Sequence, residues 1–120
     1  MSLSFDHRLA LAIMIIVIAI AGIVYVFVVP RVPEVTDADR AMFACIFLCK
    51  GELNEGRSLD DGPCLSSGLE AWEVEDWVCD VAHYPREDVD RLPENQCPEY
   101  GVSADHFVEV SPDCSFIRSV

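Results

Sequence analysis

LALAIMIIVIAIAGIVYVFVV, residues Leu9 to Val29, runs for 21 residues without a charge, an amide side chain or a proline. As an α-helix rising ~1.5 Å per residue, such a stretch spans about 31 Å, the thickness of a bilayer's hydrocarbon core. The 91 residues after it are acidic and carry all six cysteines. The chain therefore reads as a tail (residues 1–8), a transmembrane helix (9–29), a linker (30–36) and one small domain (37–120).

A cleaved signal peptide needs a shorter apolar region and a small-residue cleavage site. Ala19-Ile20-Ala21 before Gly22 resembles one, but Ile23 to Val29 would then become an apolar N-terminus. A lipoprotein needs a cysteine at the end of the run, and the first cysteine is Cys45. The length favours an uncleaved anchor. Basic residues do not orient it: His7 and Arg8 flank one end, Arg31 and Arg40 the other. The cysteines do. An even number in a domain too small for a large core points to disulfides and an oxidising compartment. The expected topology is a cytoplasmic N-terminus and an extracytoplasmic C-terminal domain, single-pass in the cell membrane. Within the anchor, Ala12, Ala19 and Gly22 lie along one side, where small residues let another helix approach.

Asp6 and Arg8 cancel, so the net charge of −13 belongs to residues 30–120, with seven basic and twenty acidic side chains. Such a domain repels nucleic acid and anionic headgroups. The charge serves solubility or adaptation to salt, the single lysine, Lys50, standing against seven arginines. A cationic partner or Ca²⁺ is the other reading.

Pro30-Arg31-Val32-Pro33 ends the membrane helix. Thr36 is a candidate N-cap, with Asp37 and Asp39 in the first turn, and the spacing predicts a helix to about Lys50 with Gly51 just beyond. Ala38, Ala41, Met42, Cys45, Leu48 and Cys49 form its apolar stripe, widened by Phe43, Ile46 and Phe47. A helix apolar nearly all round belongs in a core; docking on lipid or on a partner's helix is the alternative. Ser67-Gly68-Leu69-Glu70 fits a capping box and a short helical turn. Trp77–His83, His106–Val110 and Ser115–Val120 read as strands, with Trp77, Cys79 and Val81 on one face and Ser111–Cys114 as a hairpin loop. Arg86 to Gly101 reads as a charged loop pinned by Cys97. The fold class is α+β: a cysteine-bearing helix on a small, mostly antiparallel sheet of about three strands.

Cys45 and Cys49 face one side of that helix but are too far apart to bond each other. Six cysteines allow 15 pairings, and excluding that one leaves about 12. The preferred arrangement sends Cys45 and Cys49 to Cys64 and Cys79, and Cys97 to Cys114. Zinc is the rival: Cys79, His83, His106 and Cys114 can be assembled into a site on paper, but the only close cysteine pair, Cys45-x₃-Cys49, lies on a helix and is not a zinc knuckle. His83 and His106, near Asp80, Asp105 and Glu109, could serve as an acid–base pair, yet histidines at strand ends are more often structural. Glu87, Asp88, Asp90, Glu94 and Asn95 offer oxygen ligands for Ca²⁺ without the EF-hand pattern. Trp72 and Trp77 read as core in so small a domain, with an exposed binding patch as the alternative. No residue requires a cofactor.

The stretches Asp76–His83 (DWVCDVAH) and Pro93–Cys97 (PENQC) resemble segments of uncharacterised archaeal membrane-anchored proteins with one N-terminal helix and a cysteine-containing outer domain. The likeness covers most of residues 36–120. It implies an archaeal envelope, adapted to salt, and no particular activity. The expected function is a non-catalytic envelope protein whose outer domain binds a protein partner or a second copy of itself. An extracytoplasmic domain binding a ligand or a metal (Ca²⁺ or Zn²⁺) is the alternative, and a hydrolase comes third.

Overall fold

The computed structural model describes residues 3–120, with side chains from Asp6 onward. Met1 and Ser2 of the expected tail lie outside the described residues. The chain divides into two compact units, one ending at Glu34 and the other spanning Val35–Val120. The first is a single helix, α1 (Leu3–Val28), which takes in Asp6, His7 and Arg8 from the expected tail. Its stretch Asp6–Val28 is long and apolar enough to cross a membrane. Its apolar side chains, such as Leu9, Ile16 and Val26, are exposed within the structure.

The second unit contains α2 (Asp37–Asn54), β1 (Trp77–Val81), two 3₁₀ turns (Asp88–Arg91 and Pro93–Asn95), β2 (His106–Val110) and β3 (Phe116–Ser119). Thr36 caps α2 as its sequence suggests. Its hydroxyl accepts the Asp39 N–H at 3.2 Å, and the Asp39 carboxylate accepts the Thr36 N–H at 3.0 Å. The far end departs from expectation. α2 passes through Gly51 to Asn54, and the terminating glycine is Gly56, with φ +79°. There Gly56 N–H bonds Leu53 O and Arg57 N–H bonds Glu52 O, the double closure that a left-handed residue allows. An Arg57–Glu52 ion pair ties the last turn to the loop. Gly51 costs only about 1 kcal/mol inside a helix, too little to end it against this closure. Ser67–Glu70 forms turns rather than a helix, with Gly68 at φ +67°.

The sheet order is β1-β2-β3. β2 and β3 form the expected antiparallel hairpin, whereas β1 and β2 are parallel, so the sheet is mixed rather than mostly antiparallel. Parallel neighbours need a crossover of a dozen or more residues, usually helical. Here the crossover is the irregular segment 82–105, which carries only the 3₁₀ turns and so gives no helical signal.

α2 lies on one face of the sheet. Ala41, Cys45 and Cys49, all fully buried, meet Cys79, Val81, Val108 and Val110. Trp77 and Trp72 pack against this core, and Trp72 Nε1 donates to Trp77 O at 2.8 Å. Small residues at the contact bring helix and sheet close enough for disulfides. Cys45 bonds Cys79 on β1, Cys49 bonds Cys114 at the hairpin, and Cys64 bonds Cys97. The two helical cysteines thus bridge to different segments, as their spacing requires. The expected Cys97–Cys114 bond and the expected use of Cys64 by the helix are both incorrect. Residues 63–65 run along the edge of β1, where Leu65 N–H bonds Cys79 O and Val81 N–H bonds Pro63 O. Cys64 joins Cys97, Val78, Ala104 and Phe107 in a small cluster separate from the core under α2.

Cys49–Cys114 spans 65 residues and Cys64–Cys97 spans 33. Replacing Cys49 and Cys114 together by alanine is expected to lower unfolding stability by about 4 kcal/mol, and replacing Cys64 and Cys97 by somewhat less. Urea unfolding midpoints of the two double variants check the size and the order.

Candidate functional site

Strand side chains alternate between faces. With Cys79, Val81, Val108 and Val110 under α2, the opposite face receives Val78 and Asp80 from β1, Phe107 and Glu109 from β2, and Arg118 from β3. The register sets Asp80 beside Glu109 and Glu109 beside Arg118, so one charged row crosses all three strands. Glu109 is 3% exposed and Asp80 9%.

Glu109 is fully partnered. Arg118 Nε donates to Oε2 at 2.5 Å, and the Arg86 guanidinium reaches Oε1 from the segment after β1. Arg118 also lies 5.0 Å from the centre of the Phe107 ring, and Tyr100 meets that ring edge-on. Asp80 has no such partner. It makes no ion pair, and among the described residues no side-chain N–H or O–H donates to it. Cys97 Sγ, bonded to Cys64 and so without a hydrogen, stands 4.0 Å from its Oδ1. Burial pushes the Asp80 carboxyl up to about 7; Arg86 opposes the rise, Asp90 adds to it, and a hydrogen bond from the Val81 backbone N–H opposes it. Both acids line a cavity of about 270 Å³, with Arg86, Arg118, Tyr100 and Phe107.

A second polar pair lies beyond the end of β1. Asp90, 2% exposed, accepts the His83 and Glu87 backbone N–H groups at 3.0 and 2.8 Å on Oδ2. Its Oδ1 is 2.8 Å from His83 Nδ1. Burial pulls the Asp90 carboxyl upward, but these accepted hydrogen bonds outweigh it and hold the group below its ordinary value. The Asp90 bond in turn raises His83, helped by Glu87, whose carboxylate is 4.0 Å from Nε2. The imidazole is oriented as a general base would be, but no serine or threonine hydroxyl bonds it among the described residues. All six cysteines are oxidised, so no thiol is available as a nucleophile.

The residues assembled on paper for zinc are dispersed. Cys79 and Cys114 sit in different disulfides and offer no thiolate. His83 holds Asp90, and His106 stacks on Trp77 at 4.8 Å. Asp90 of the acidic loop turns inward, and Asn95 donates to Val89 O. Among the described residues no group of three or more His, Cys, Asp or Glu side chains could hold a metal ion. Ala12, Ala19 and Gly22 lie on α1, where a methyl group added at Gly22 would meet nothing within 4 Å.

A third feature is the outer side of α2. Phe43 and Phe47, expected to widen the buried stripe, are 63% and 82% exposed. One turn apart, they point away from Ala41, Cys45 and Cys49, and Arg40 and Lys50 share their face. Within the unit Val35–Val120, α2 is the one α-helix on the sheet, and none of this unit's described residues buries Phe43 or Phe47. Asp80 and Glu109, noticed in sequence only as acids near histidines, converge through strand register, which no local signal reports. No family model, no curated protein and no solved structure matches the chain.

Asp80 raised to about 7 means that the folded state holds a proton the unfolded chain releases near pH 4. Its contribution to stability is full below the unfolded value and is lost as pH rises through about 7. Relative to the native chain, Asp80→Asn is therefore expected to gain stability between pH 4 and pH 8, by on the order of 2–4 kcal/mol, in urea unfolding. Gly62, at φ +67°, passes so close to Asp90 that an added Cβ would lie 2.7 Å from Oδ1. Gly62→Ala is expected to cost roughly 1–3 kcal/mol, read as a lowered unfolding midpoint.

Proposed function

We propose that this chain is a single-pass membrane protein, with its N-terminus cytoplasmic, whose extracytoplasmic domain is a non-catalytic module that docks a protein partner through the outer side of α2. The observation that carries the reading is the pair Phe43 and Phe47, exposed on a helix whose inner side is bonded to the sheet by two disulfides. Large aromatic side chains fixed on a rigid element in water are what a binding surface presents. Three bridges that use all six cysteines support an oxidising compartment. The apolar helix α1 supports the anchor. A net charge of −13 disfavours an anionic lipid surface as the occupant and favours a protein with its own basic groups. Seven arginines against one lysine in so acidic a chain fit a salt-adapted, archaeal envelope.

Two measurements test this. On intact cells, a membrane-impermeant thiol reagent should label the protein only after external reduction; cysteines shielded until lysis would reverse the topology. Replacing Phe43 and Phe47 together by serine should release a partner that co-purifies in mild detergent, weakening binding by about 2–4 kcal/mol, with the disulfide map unchanged. A partner retained undiminished by that variant would move docking away from α2.

A further inference from the structure

The charged row on the open face of the sheet is unbalanced in a specific way. Glu109 takes both arginines, one on each carboxylate oxygen. Asp80 is nearly as buried and has no ion pair. An uncompensated buried carboxylate costs several kcal/mol, and an apolar residue at the same position would avoid that cost. The Asp80 carboxylate instead faces a cavity of about 270 Å³ whose other walls include Val78, Tyr100 and Phe107. At ~30 Å³ per water, that volume corresponds to about nine waters, room for a ligand of fewer than about ten non-hydrogen atoms.

The sign of the ligand follows from the charges. An anion at Arg86 and Arg118 would compete with Glu109 for both. A cation at Asp80 meets a buried carboxylate that has no ion pair, and the field of a domain with net charge −13 concentrates cations and repels anions. We propose that this cavity binds a small alkylammonium ion, its N–H groups donating to the Asp80 carboxylate and its carbon chain lying against Val78, Tyr100 and Phe107. The site is independent of the α2 docking surface and lies on the other face of the sheet.

Only the ionised carboxylate accepts the ammonium, so binding is linked to proton release. The groups facing Asp80 are Arg86 and Asp90 from the segment after β1, Tyr100 beyond it, Glu109 from β2 and Arg118 from β3. With the carboxyl near 7, its ionised fraction rises about tenfold from pH 6 to pH 8.

The test uses the full chain in non-ionic detergent, titrated with n-butylammonium and followed by carboxyl chemical shifts at fixed salt, with empty micelles as the blank. Saturable binding is expected at pH 8, about tenfold weaker at pH 6. Asp80→Asn should abolish it while peptide mapping finds the three disulfides intact. No saturation at pH 8, equal affinity at the two pH values, undiminished binding by Asp80→Asn, or tighter binding of butyrate would each overturn the proposal. The pH comparison uses the unaltered chain, so it decides the matter even where the variant misfolds. Displacement of a co-purified partner by butylammonium would identify the natural source as that partner's lysine; binding with the partner retained would identify a free amine.

Discussion

The Cys45–Cys79 and Cys49–Cys114 bonds fasten two successive turns of α2 to the sheet, and the rest of the domain depends on that attachment. The strands are four or five residues long, and the fully buried side chains over which helix and sheet meet are no larger than valine. Such a core holds little apolar area, whereas each bridge contributes about 2–4 kcal/mol. The same small residues that permit close approach limit what packing can contribute, so covalent closure and small size go together. The third bond, Cys64–Cys97, ties the edge segment before β1 to the long crossover after it. A segment such as 82–105, with two short 3₁₀ turns as its only helical structure, then holds one course over the open face.

That covalent frame lets the open face carry charge. Buried ion pairs rarely stabilise a protein more than apolar side chains of the same size. The pairing of Glu109 with Arg86 and Arg118 is therefore best understood as positioning: it fixes Arg86, and with it the start of the crossover, against β2 and β3. Asp90 has a comparable duty beyond the end of β1. It gathers His83 and the Glu87 N–H around one carboxylate, and Gly62 leaves the space that carboxylate fills. Asp80, buried in the same row, has no ion pair and lines the cavity instead. The two faces of the sheet are thus specialised, one for covalent closure under α2 and the other for a small polar cavity.

Several elements were legible because their causes are local. Thr36 and Asp39 make a capping box from residues three apart, and β2 and β3 need only a short loop to pair. The end of α2 is not legible because Gly51 and Gly56 look alike in sequence, and the hydrogen bonds made by Gly56 and Arg57 decide between them. Phe43 and Phe47 read as core in the sequence because an apolar side chain does not reveal whether a second layer exists to cover it. Within the unit Val35–Val120 none does. The charged row was hidden for a related reason: one charge per strand on alternate positions looks the same whether the face is open to water or enclosed by a crossover.

The sequence by itself determined an apolar stretch of bilayer length, a domain beginning near Thr36, a capped helix with two cysteines on one side, and an even cysteine count that disulfides could use in full. Each rests on length, composition or spacing within a few residues. Only the tertiary structure decided which cysteines bond, that β1 runs parallel to β2, and that Asp80, Glu109, Arg86 and Arg118 share one cavity. Those outcomes depend on strand register and on the path of a crossover of more than twenty residues. A shift of one residue in register would turn every side chain of a strand to the opposite face.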